Sequence, residues 1–139
     1  MKESPLDGPS IFIIEDSAIA RESLAALLRR RSFRAVTART GSEGLALLAS
    51  PLDPDLILLD MLLPQLDGWR FLQEIRNSRH RSVPVIVMSG IGLSEEWAGD
   101  HGCAGFLRKP IEPADLFEAI ARVLKVEPDA RSSPMAAPN

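Results

Sequence analysis

Leu56-Ile57-Leu58-Leu59-Asp60 decides the fold: four consecutive apolar residues close on a carboxylate. The run is too short for a buried helix. It also lacks the alternation of a strand with one wet face, so it reads as a strand covered on both sides. Pro51 and Pro54 mark the loop before it. Two further runs have the same character. Ile11-Phe12-Ile13-Ile14 ends in Glu15-Asp16, and the strand from Pro84 to Met88 ends in Ser89. Between and beyond them lie segments of helical period. Residues 18–31 put Ala20, Leu24, Leu27 and Leu28 on one face. Ser42 is the expected cap of a helix burying Leu45 and Leu48. Gly68 is expected to precede a helix with Phe71, Leu72 and Ile75 inward, and Ser94 to Asp100 is a weak helix. Pro113 opens a last helix carrying Leu116, Phe117, Ile120 and Leu124. Short strands at Arg34–Ala38 and Ala104–Leu107 complete five β/α units. Right-handed crossovers then predict an α/β sandwich with a parallel sheet and helices on both faces.

Composition agrees. The chain has 139 residues, with 16 Lys+Arg against 19 Asp+Glu and a net charge of −3. That is one domain's length with an ordinary 45% of hydrophobic residues. No run approaches the roughly 20 apolar residues of a membrane helix, and no secretory signal is visible, so no membrane partner is expected. The single Cys103 permits no internal disulfide, consistent with a cytoplasmic location. Weak acidity argues against direct nucleic-acid binding. The Arg29-Arg30-Arg31 and Arg76-Arg79-Arg81 groups read as solvated helix ends. His80 and His101 read as surface residues, Cys103 as a small buried residue, and Trp69 and Trp97 as partly buried. Residues 1–9 are expected to form a leader, 10–126 the domain and 127–139 a disordered polar tail.

In a parallel sheet, ligands bind beyond the carboxyl ends of the strands. Glu15-Asp16, Asp60, Ser89 and Lys109 all follow strands there, so their side chains should converge. Crowded carboxylates repel, and a divalent cation relieves them; an all-oxygen set suits Mg²⁺. A cation with a Lys ammonium and a hydroxyl is what a phosphoryl group requires, and a central carboxylate can be a nucleophile.

IFIIEDS, LILLDMLLPQLDG, VIVMSG and FLRKP resemble the receiver domain of two-component response regulators, over about residues 10–126. The resemblance implies a flavodoxin-like sheet of order 2-1-3-4-5. It implies Asp60 as phosphoacceptor, Asp16 on Mg²⁺ directly, Glu15 through water, and the Leu62 backbone carbonyl as a further metal ligand. Ser89 and Lys109 would contact the phosphoryl oxygens, Phe106 holds the switch aromatic position, and Lys109-Pro110 would be cis. The implied partners are a histidine kinase or histidine phosphotransfer protein and a downstream protein target. Three features depart from the common pattern. The acidic pair is Glu-Asp rather than Asp-Asp. Phe106 has no tyrosine hydroxyl, so a switch is expected to rest on packing alone. The Ser89–Lys109 interval is about two residues short. Two alternatives are a receiver-like interaction module that is never phosphorylated, and a haloacid-dehalogenase-type Asp phosphatase. The phosphatase motif wants an acid where Leu62 stands.

Overall fold

The computed structural model of the chain describes residues 8–61, 65–90 and 92–125. Residues 1–7, Leu62, Ile91 and the expected tail lie outside the described residues. Five strands, β1 (Ser10–Ile14), β2 (Arg34–Ala38), β3 (Leu56–Asp60), β4 (Val85–Ser89) and β5 (Gly105–Arg108), form one parallel sheet of order β2-β1-β3-β4-β5. They alternate with α1 (Ala18–Arg30), α2 (Gly41–Leu48), α3 (Gln65–Arg76), α4 (Glu95–Asp100) and α5 (Pro113–Leu124). No helix among the described residues is long and apolar enough to cross a membrane.

The three apolar runs are the central strands, and every residue of β1, β3 and β4 is buried. Their side chains alternate between two separate cores. Ile11, Ile13, Leu58 and Met88 face α1 and α5, with Leu28, Leu116 and Ile120. Phe12, Ile14, Leu59 and Val87 face α2, α3 and α4, with Leu48, Phe71 and Leu72. Burial on both faces explains why these strands do not alternate polar with apolar residues. The inward faces of α1, α2 and α5 are narrower than their spacing suggests: Leu27, Leu45 and Leu124 are only partly buried.

Several boundaries differ from expectation. Thr40, not Ser42, caps α2: its hydroxyl accepts from the Glu43 amide at 3.1 Å, and Glu43 Oε1 accepts from the Arg39 amide at 2.8 Å. This is close to a reciprocal capping box and leaves Ser42 exposed inside the helix. Gly68 lies within α3 rather than before it. A Cβ there would stand 3.1 Å from Met61 Sδ, so glycine lets the helix close on the residue following β3. Gly44 does the same for α2, where a Cβ would meet Phe71 and Ile14 at 2.7 and 2.8 Å.

His80 is buried, not superficial. Its Nε2 donates to the Leu48 carbonyl at 2.9 Å, satisfying an acceptor at the end of α2. His101 is half-buried and stacks on Trp97 with centroids 4.2 Å apart, and its ring also meets Trp69 edge-on. Both tryptophans are partly buried. Cys103 is only partly buried, and desolvation pushes its thiol pKa up. Arg29 and Arg30 do end α1 in solvent. Arg31 instead lies over the Phe117 ring, 4.2 Å from its centroid, and Arg76 donates to the His101 carbonyl.

Candidate phosphoryl site at the strand ends

The parallel arrangement brings four of the expected groups to one edge of the sheet. Glu15 follows β1, Asp60 and Ser89 are the last residues of β3 and β4, and Lys109 follows β5. Asp60 pairs in register with Met88, and Ser89 with Arg108, so the strand ends lie level. Glu15, Asp60 and Ser89 are each only 1% exposed, whereas Asp16 is open to solvent. The Lys109 ammonium reaches across the group, 2.9 Å from Glu15 Oε1 and 3.3 Å from Asp60 Oδ1. Lys109-Pro110 is cis, and the Lys109 amide donates to the Ser89 carbonyl at 2.9 Å.

The turn after β1 is built from local bonds. Ser17 caps α1 through its hydroxyl, while its own amide donates to Glu15 Oε2 at 3.1 Å. One turn into α1, Arg21 Nη1 donates to the carbonyls of Glu15 and Asp16 at 3.0 and 3.4 Å. Sequence reading missed Arg21. The signal was available, since a residue one turn into a helix can fold back over the strand–helix junction.

One oxygen from each of Glu15, Asp16 and Asp60 can be chosen so that all three lie within 4.8 Å of one another. An all-oxygen set with one solvent-facing member fits a small hard dication such as Mg²⁺, which keeps several waters. The Leu62 carbonyl, the further expected ligand, lies outside the described residues. Burial raises the Glu15 pKa; the Lys109 hydrogen bond opposes this and neighbouring Asp60 adds to the rise. Burial would lower the Lys109 pKa, but the hydrogen bond to Glu15 and the charges of Asp60 and Glu15 hold it above the usual value. The ammonium therefore stays charged and offsets one of the three carboxylates. The remaining negative charge favours a dication.

Phe106 is half-buried against the α3–α4 core, on β5. Arg108, also missed, carries its guanidinium over the Phe106 ring, 5.1 Å from the centroid.

The family model described as the response regulator receiver domain matches residues 11–121. Two-component response regulator ORR5 from Oryza sativa subsp. japonica is 29% identical over 120 residues, covering 84% of this chain and 90% of that protein. Response regulator Rre1 from Synechocystis sp. is 34% identical over 127 residues, covering 88% of this chain and 54% of that protein. The crystal structure of a response regulator receiver protein from Burkholderia phymatum superposes with a TM-score of 0.76 at 27% identity, covering 86% of this chain and 97% of that one. With the five-stranded topology and the acidic strand-end cluster, these matches establish that the chain belongs to the response regulator receiver domain family, whose members work in two-component, phosphorylation-based signalling.

Proposed function

We propose that this chain is a phosphorylation-dependent switch in which Asp60 accepts a phosphoryl group from a histidine kinase or a histidine phosphotransfer protein. The observation that carries the reading is the Lys109 ammonium spanning two buried carboxylates, Glu15 and Asp60, at the carboxyl edge of a parallel sheet. An Asp60 oxygen attacks the phosphorus of a phosphohistidine. The new P–O bond forms as the P–N bond breaks, and the imidazole nitrogen leaves with the electron pair and takes up a proton. Glu15, Asp16 and Asp60 would hold Mg²⁺, which supplies positive charge to the oxygens of the transferring group. Lys109 turns its ammonium from Asp60 to a phosphoryl oxygen, and Ser89 donates its hydroxyl to another. The new charge is read by a downstream protein target through the surface around Ser89 and Phe106. Hydrolysis of the acyl phosphate resets the switch.

The test is incubation with Mg²⁺ and phosphoramidate, followed by intact mass. Wild type should gain one phosphoryl group, and Asp60→Asn should gain none while keeping its circular dichroism and Tm. Equal labelling of the variant would reject Asp60 as acceptor. Labelling that is insensitive to chelation of Mg²⁺ would reject the metal site.

A further inference from the structure

Among the described residues, the stretch between Ser89 and α4 is short and glycine-rich. Gly90 and Gly92 flank its start, Gly92 has a φ of +91°, and a Cβ there would meet nothing within 4 Å. The helix that follows is six residues long. Arg108 crosses from β5 to this segment: Nη1 donates to the Gly90 carbonyl at 3.2 Å and Nη2 to the Leu93 carbonyl at 3.1 Å. The same guanidinium lies over Phe106. One planar group thus joins both sides of the weak segment to the aromatic of β5. A planar fork can do this, whereas an ammonium is a point donor without a stacking face.

We infer that Arg108 is a positioning residue for the phosphoryl site: it holds the backbone after Ser89 against Phe106, so that the Ser89 hydroxyl is in place when Asp60 is phosphorylated. Phe106 has no hydroxyl with which to bond this segment, and Arg108 makes the polar connection in its place. The guanidinium clamp thus stands beside the packing expected of Phe106. The inference rests on the proposed phosphorylation of Asp60, although the clamp can be tested without it.

Two measurements test the inference. In the unmodified chain, hydrogen exchange at Leu93–Ala98 should rise several-fold in both Arg108→Ala and Arg108→Lys, with α5 unchanged. No change there would remove the clamp, whatever the chemistry at Asp60. With phosphoramidate and Mg²⁺, Arg108→Ala should label about fivefold more slowly than wild type, the scale of one typical net hydrogen bond. In a Ser89→Ala background the same substitution should change the rate by less than about 1.5-fold, because its effect runs through Ser89. An equal slowing in both backgrounds would overturn the positioning role. So would a full rate in Arg108→Lys, which would mean that charge alone attracts the anionic donor. Mg²⁺ affinity, followed by Trp fluorescence, should be the same in wild type and in the Arg108 and Ser89 variants. If wild type and Asp60→Asn label alike, the phosphoacceptor assignment fails, and the exchange result still decides the clamp.

Discussion

Helices α4 and α5 flank the same edge strand yet are held by different means. α5 has no side-chain hydrogen bond at its N-cap. It is fixed by a face: Leu116, Phe117, Ala119 and Ile120 are buried in the core that α5 shares with the sheet and α1. α4 buries Ala98 alone and depends on its ends. Ser94 accepts from the Trp97 amide at 3.0 Å, Glu95 and Glu96 occupy the positive first turn, and the amides of His101 and Cys103 close the last carbonyls. Around α4 the contacts are aromatic and partly wet, with Trp97 stacked on His101 and Trp69 set edge-on to His101 and tilted to Trp97. A helix anchored by area gives way only with the domain. A helix anchored by a few caps can be reset by a change at one of them.

Breaking the stronger side should have the largest effect. Phe117 stacks on Phe33 with ring centroids 6.4 Å apart and lies under Arg31. Phe117→Ala should cost about 3 to 5 kcal/mol in urea denaturation, as a single transition. A loss below about 1 kcal/mol would mean that α5 is not held by its face. The cap of α4 comes next. Ser94→Ala should destabilise that helix by about 1 kcal/mol, raising exchange over 95–101 roughly fivefold with α5 unaltered. A parallel rise in α5 would show that α4 opens only when the whole domain does. The smallest effect sharpens the contrast from the other direction. Gly99 lies inside α4 with nothing within 4 Å of an added Cβ, so Gly99→Ala should slow local exchange by a factor matching about 0.5 to 1 kcal/mol. Faster exchange would mean that the glycine is needed for the path of the chain.

What could be read from sequence was whatever is dictated locally. A continuous apolar run ending in a polar residue needs no tertiary information to be recognised, so β1, β3 and β4 and the convergence of Glu15, Asp60, Ser89 and Lys109 were all legible. Features set by distant partners were not. His80 sits between arginines in a polar stretch, and its burial depends on a carbonyl 32 residues earlier. Gly68 looked like a helix breaker because its packing against Met61 is tertiary. Ser42 is the expected cap, and the placement of Thr40 there instead goes with Glu43 folding back to the Arg39 amide. The role of Arg108 has no sequence signal, because its acceptors are carbonyls that carry no mark in the sequence.

The sheet divides the apolar interior into two clusters, and among the described residues no buried side chain belongs to both. Neighbouring residues on a central strand, such as Leu58 and Leu59, belong to different clusters, so a substitution on one side is not felt as a volume change on the other. The α1–α5 layer and the α2–α3–α4 layer can therefore diverge independently. A lineage can remodel the surface around Phe106 and Trp97 while the opposite layer keeps the fold intact, with only the backbone of the sheet as common ground.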